Sequence, residues 1–206
     1  MPALLDPESL LVRPGRELRG PGSWEGVFGR RAPLEVEVGF GRDEALLRRA
    51  GAHPERDYIG IELKRDRAET FLRRAADLGL RNLRVVPGRA EVVVGILLPD
   101  ARAASVRIPF PDPWPKGRHA ENRLVRPFFV REVRRVLEPG GSLVLSTDDA
   151  PYAAEMRAAV EAAGGFSGGP PGPEDEREFF DGTTIFERKG LARGAAIGRL
   201  VYRRLP

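Results

Sequence analysis

Residues able to do chemistry crowd into three short stretches of this 206-residue chain: Glu37-Val38-Gly39-Phe40-Gly41, Ile59-Gly60-Ile61-Glu62, and Pro109 through His119. In the first, two glycines one residue apart let the backbone bend sharply and let a ligand approach with no Cβ in the way. A dinucleotide fingerprint needs a third glycine at position 44, but Glu44 stands there behind Asp43. Two acids at a helix start repel a pyrophosphate, so NAD and FAD are disfavoured and a ligand without phosphate there, such as S-adenosylmethionine, is favoured. A tight turn that binds nothing is the alternative for Gly39 and Gly41. Glu62 lies about 20 residues further on, where an acidic side chain accepts hydrogen bonds from both hydroxyls of a ribose. Glu37, flanked by Val36 and Val38, points into the same crevice or into the core. An unpaired carboxylate in the core is costly, and a cationic ligand group such as a methionine ammonium would match it.

The third stretch reads Pro109-Phe110-Pro111-Asp112-Pro113-Trp114-Pro115-Lys116-Gly117-Arg118-His119. Four prolines in seven residues make a rigid, non-helical lip, the kind of segment that holds a functional group in place. Asp112 is available to a polar substrate and Trp114 offers a face for a flat base. Lys116 stands out because Lys64 and Lys189 are the only other lysines among 34 basic residues. A stiff connector with no chemistry is the competing reading, and the interleaved Asp, Trp and Lys weigh against it.

The elements that must position these groups follow from periodicity and punctuation. Residues 34 to 38, 58 to 63, 82 to 86, 105 to 110 and 142 to 147 read as strands, and helical patterns cover 43 to 50, 65 to 78, 90 to 98, 124 to 137 and 151 to 163. Strand and helix alternate, which predicts an α/β, doubly wound, Rossmann-like and mostly parallel sheet. Residues 164 to 173 read as a Gly/Pro-rich loop, and antiparallel strands are expected near 184 to 188 and 198 to 203, giving a C-terminal antiparallel pair. In such sheets ligands bind beyond the carboxyl ends of the strands, which is where all three stretches fall. Residues 1 to 33, broken by Pro14, Gly15, Gly20, Pro21 and Gly22, read as a Gly/Pro/Arg-rich arm or loosely packed extension, and 34 to 206 as the domain.

Composition removes most other chemistries. With no Cys, and with His53 and His119 the only histidines, the chain can build no disulfide, zinc cluster or thiol nucleophile. A charged fraction of 31% without a long apolar run argues against a membrane span. Met1 to Leu5 meets Asp6 before any apolar leader develops, so the protein is expected to stay in the cytoplasm. The net charge of +4 is compatible with a polyanionic partner.

These residues resemble the bacterial tRNA (guanine-N7-)-methyltransferase family of class I S-adenosylmethionine-dependent enzymes. The similarity runs from about 34 to 204. It is carried by Glu37 to Gly41, Gly60-Ile61-Glu62, Phe110 to Lys116 with Arg118-His119, Pro139-Gly140-Gly141, Thr147-Asp148 with Pro151-Tyr152, and Thr184 to Glu187. The resemblance implies transfer of a methyl group from S-adenosylmethionine to N7 of guanosine 46 in the tRNA variable loop. By it, Glu37, Glu62 and Asp112 match cofactor positions, with Gly39 and Gly41 in the turn, and Asp112 is also the candidate catalytic residue. Lys116, Asp148, Thr184, Phe186 and Glu187 match positions assigned to tRNA. No metal and no obligatory protein partner are expected, and the protein would act as a monomer or homodimer. This chain departs from the family in carrying Asp43 where glycine is usual, Arg89 at the adenine position, and Ala120-Glu121-Asn122 in a run that is usually basic. Two alternatives remain from the residues: a class I methyltransferase acting on another substrate, or a noncatalytic RNA-binding relative.

Overall fold

The computed structural model describes residues 5–13, 24–180 and 184–206. Seven strands form one sheet: β1 (Leu34–Val38), β2 (Asp57–Glu62), β3 (Leu83–Pro87), β4 (Ala103–Pro109), β5 (Leu137–Thr147), β6 (Phe166–Gly169) and β7 (Gly198–Arg204). Their spatial order is β3-β2-β1-β4-β5-β7-β6. The first five run parallel, and β7 lies antiparallel between β5 and β6. Every residue of β1 and β2 is buried, as a sheet covered on both faces requires.

Alternation along the strands assigns side chains to the two faces. Leu34, Val36 and Val38 join a core with the helix α4 (Ala90–Val92), the π-helical turn Val93–Leu97 that continues it, α5 (Pro127–Val136) and α6 (Ala150–Ala163). Tyr58, Leu83 and Val85 pack against α2 (Ala45–Ala52) and α3 (Arg65–Asp77) on the other face. The helix expected from 124 starts at 127, because Pro127 supplies the fixed φ of a first helical position and holds Arg126 extended. Gly60 of β2 lies against Phe40 and Leu46. A Cβ there would stand 2.8 Å from Phe40 Cδ1 and 2.9 Å from Leu46 Cδ2. Gly60→Ala should therefore cost about 2 kcal/mol of stability by overpacking, read as a lowered urea midpoint at unchanged slope.

Three sequence expectations are corrected. Residues 164–173 are not all loop: β6 pairs with β7, and its Gly168 lets the backbones meet where a Cβ would lie 2.3 Å from the Val201 carbonyl oxygen. Residues 184–188 are not a strand but open α8 (Ile185–Ala192), which follows α7 (Pro173–Phe179). The N-terminal segment is not loosely packed where it is described. Leu11 forms a parallel bridge with Val85 on the outer edge of β3, and Val12 N–H donates to the Val85 carbonyl at 2.9 Å. Leu10 and Val12 are buried. So is Trp24 of α1 (Trp24–Phe28), whose indole N–H donates to the Leu97 carbonyl at 2.8 Å. The rest of that expectation, over 1–4 and 14–23, lies outside the described residues.

A buried ionic cluster lies between β1 and α2. Glu35 accepts from Arg49 Nη2 and from Arg56 Nη1, each at 2.6 Å. Burial works to raise the Glu35 carboxyl, but the charge of Arg49 and the bonds from Arg49 and Arg56 outweigh it and hold it below its ordinary value of 4.5. A depressed carboxyl adds stability above its unfolded value, and that contribution is lost as pH falls through the folded one. Glu35→Gln should cost about 3 kcal/mol at neutral pH, and the gap from the parent should narrow on acidification below pH 4.5. Parallel urea titrations at the two pH values read this directly.

Candidate active site

Strand order reverses between β1 and β4, so the crevice beyond their carboxyl ends is the expected ligand site. The Gly39–Gly41 turn forms its floor. Both glycines have positive φ, 76° and 62°, which an L side chain rarely adopts. The space that a Cβ on Gly39 would occupy is open. Gly39 N–H donates to Ile61 O at 2.7 Å, which ties the turn to β2.

Glu62 ends β2 buried beside this turn. One carboxylate oxygen accepts from Gly41 N–H at 2.9 Å and the other from Lys64 N–H at 2.8 Å. Each oxygen keeps a further lone pair for a ligand hydroxyl. Next to it, Leu63 and Gly88 border a cavity of about 620 Å³ at the ends of β2 and β3, with Leu72, Pro87, Leu11 and Val12 among its other lining residues. The N-terminal segment is thus a wall of that cavity.

Glu37 faces Arg107 across the β1–β4 ladder, with Arg107 Nε 3.8 Å from its carboxylate. Burial pushes the Glu37 carboxyl above its ordinary value, opposed by Arg107. Arg107 is thus a cation that the chain itself places near this carboxylate, beside any cationic group of a ligand. Asp43 is likewise engaged: it accepts from Ala45 N–H at 2.8 Å at the start of α2 and from Ile185 N–H at the start of α8. The acid that replaces the usual glycine ties α8 over the crevice.

Beyond β4 the proline-rich lip carries Asp112, exposed, with one oxygen accepting from Trp114 N–H at 3.0 Å. Phe110 and Trp114, on either side of it, have φ of 47° and 43°. Non-glycine residues held there cost about 1–3 kcal/mol each and persist where surrounding contacts impose them, commonly at functional sites. Arg123 supplies such contacts, donating to the Pro113 carbonyl at 2.7 Å and to the Trp114 carbonyl at 3.2 Å. Phe110 stacks on Phe186 of α8, centroids 6.1 Å apart and planes 21° apart, and Phe186 is 48% exposed.

The residues expected on substrate divide into two groups. Lys116 is exposed at the start of a 3-10 turn (Gly117–Asn122), and Phe186 is open at the crevice mouth. Thr184, Asp148 and Glu187 have partners within the chain. Thr184 caps α8 by accepting from Glu187 N–H at 3.0 Å. Asp148 pairs with Arg193 at 2.5 Å, and buried Glu187 pairs with Arg199, which also holds Glu176 at 2.7 Å. These bonds make α8 a cover for the crevice. Sequence reasoning missed Arg107, Arg123 and Arg199, because nothing local distinguishes them in an arginine-rich chain. The helical start at Thr184 did have a signal, the capping-box spacing Thr184 to Glu187. Among the described residues no group of three His, Asp or Glu could hold a metal ion, and no helix is long and apolar enough to cross a membrane.

Comparison with known proteins agrees with this arrangement. The family model "Putative methyltransferase" matches residues 31–200. A tRNA (guanine-N(7)-)-methyltransferase of Alkalilimnicola ehrlichii is 43% identical over 182 residues, covering 86% of this chain and 75% of that protein. One from Halorhodospira halophila is 40% identical over 196 residues, covering 91% and 82%. Among solved structures, the aminoglycoside resistance methyltransferase NpmB1 superposes with a TM-score of 0.61 at 19% identity, over 89% of this chain and 92% of that one. A 16S rRNA (adenine(1408)-N(1))-methyltransferase from Catenulisporales acidiphilia, solved with cosubstrate SAM, gives 0.58 at 20% identity, over 98% and 92%. The structural likenesses establish the class I methyltransferase fold, with its seven-stranded sheet and antiparallel C-terminal strands. With the sequence identity over most of its length, the chain belongs to the tRNA (guanine-N(7)-)-methyltransferase family.

Proposed function

We propose that this protein transfers a methyl group from S-adenosylmethionine to N7 of guanosine 46 in the variable loop of tRNA, in the cytoplasm. The observation that carries this reading is the Asp112 lip, held in a costly conformation at the end of β4, the parallel neighbour of the strand that ends in the glycine turn. The cofactor fits the residues present. The crevice carries carboxylates and an open glycine floor, which suit a sulfonium cation and a ribose diol and oppose a pyrophosphate. Glu62 would receive the ribose hydroxyls, Gly39 and Gly41 would bring the backbone close, and the 620 Å³ cavity past Leu63 would accommodate the adenine end. Glu37 of β1, buried near Arg107, would offer its carboxylate to the ammonium of the cofactor's methionine end.

When bound, the cofactor supplies an electrophilic methyl group on sulfur. N7 of guanine carries no proton and has a free lone pair, so no residue has to act as a base. The work left to the protein is alignment and negative potential near a purine that is becoming cationic. Asp112 provides that potential, and by contact with the guanine N1 and N2 hydrogens it orients the base. The Phe110–Phe186 ring pair offers a flat wall on which the base can lie. Lys116, whose charge would oppose a cationic guanine, is suited to phosphate. Asp148, Thr184 and Glu187 act through the placement of α8, which carries Phe186.

The test is radiolabel transfer from S-adenosylmethionine to bulk tRNA, followed by nucleoside identification. The expected product is 7-methylguanosine at position 46. Label in another nucleoside would redirect the reading to a different substrate, and tRNA binding without transfer would support a noncatalytic relative.

A further inference from the structure

Four contacts converge on Arg123, behind the proline-rich lip. Its Nε donates to the Pro113 carbonyl at 2.7 Å and its Nη2 to the Trp114 carbonyl at 3.2 Å, while Nη1 pairs with Glu155 of α6. The guanidinium carbon lies 5.4 Å from the centroid of the Tyr152 ring, and Tyr152 is fully buried. The Arg123 side chain is 12% exposed. A planar fork is thereby fixed against α6 on one side and presents two donors to the lip on the other.

The two carbonyls it holds belong to residues beside Asp112. Trp114 accepts from Arg123 at its carbonyl and donates its N–H to Asp112. That residue also has φ of 43°, a conformation that relaxes toward negative φ once its contacts are lost. Rotation of φ at Trp114 changes where its carbonyl points relative to its N–H. The same peptide units that Arg123 grips therefore determine where the Asp112 carboxylate is aimed.

We propose that Arg123 is a positioning residue for methyl transfer: it clamps the Pro113 and Trp114 carbonyls to α6 and so aims the Asp112 carboxylate at the substrate base. The inference rests on the role given to Asp112 under the proposed function. Lysine cannot replace the fork, because one ammonium on a flexible stem cannot reach both carbonyls and Glu155 while lying over Tyr152. A phosphate contact, by contrast, tolerates lysine.

The experiment combines Arg123→Ala, Arg123→Lys, Asp112→Asn and the Asp112→Asn/Arg123→Ala double variant in single-turnover methylation at saturating tRNA and S-adenosylmethionine. Arg123→Ala should slow transfer by about 100-fold and Arg123→Lys by about tenfold, since an ångström of misplacement is enough for such losses. In the Asp112→Asn background, Arg123→Ala should add less than about twofold, because the group it aims has lost its charge. Acrylamide quenching gives a readout independent of activity. Trp24 is buried, so the accessible emission comes from Trp114 and should become easier to quench in both Arg123 variants.

A parental rate in Arg123→Lys overturns the inference, and so do losses that simply multiply in the double variant. Full recovery of Arg123→Ala at saturating tRNA, with a salt slope of binding reduced by about one, makes Arg123 a phosphate ligand instead. If Arg123→Ala does not fold, the lysine variant decides by its rate and its quenching. A fully active Asp112→Asn removes the proposed role of Asp112 itself, an outcome distinct from a slow Asp112→Asn beside a parental Arg123→Lys.

Discussion

Asp112→Asn is expected to slow methyl transfer by about 10²- to 10³-fold at saturating tRNA and cofactor, with cofactor affinity changed far less. The substitution keeps the shape of the side chain and its ability to accept from Trp114 N–H, and it removes the charge. In the free protein Asp112 is exposed and water screens it, so its carboxylate contributes little there. Docking of a guanine against the lip displaces that water, and the same charge then acts at short range and low dielectric on a base that becomes cationic. The expected loss corresponds to roughly 3–4 kcal/mol of transition-state stabilisation, within reach of one carboxylate at contact distance once water is excluded. A single-turnover time course separates this from a binding defect. An undiminished rate would leave alignment by Trp114 and the proline-stiffened lip as the main contribution.

Glu62→Gln should weaken cofactor binding by about 100-fold, seen in calorimetric titration with S-adenosylmethionine and with its demethylated product. Two effects combine. The carboxylate accepts the Gly41 and Lys64 amides, which sets the turn against β2, and a neutral amide can satisfy only one of them without presenting a donor to the other. It would also accept the ribose hydroxyls, and hydrogen bonds to a charged acceptor contribute about 1.5–3 kcal/mol each. The defect should appear in affinity with both ligands, since neither interaction depends on the methyl group. Parental affinity would remove the ribose assignment.

Much of the site was legible in the sequence because its signals are local. Gly39 and Gly41 could be read as a turn from residue type alone, and their left-handed φ is the physical reason for the glycines. Glu62 was placed at the end of β2 by the apolar run before it, and the Asp112 lip by four prolines in seven residues, a density that no helix or strand interior accommodates. That the first five strands run parallel followed from alternation of strand and helix, whereas their order in the sheet did not. The stretch 184–188 misled because Thr, Ile and Phe are strand formers over a short window, whereas the Thr184 cap and its Glu187 partner decide for helix once α8 can lie across the crevice.

The tertiary structure alone decided which charge meets which. Arginines 107, 123 and 199 look like any others along the chain, but the fold brings them to Glu37, to the Pro113 and Trp114 carbonyls, and to Glu187. Asp43 reads as a departure from a glycine motif until α8 arrives with an amide 142 residues away in sequence. Trp24 reads as part of a broken, basic arm until Leu97 offers a carbonyl 73 residues on. The sequence by itself determined the strand alternation, the glycine floor and the proline lip, because backbone conformation and hydrophobic period are properties of neighbours along the chain. Ion pairing and the packing of the N-terminal segment were left to the fold, because a charge or an indole can be satisfied by many distant partners and only three-dimensional proximity selects among them.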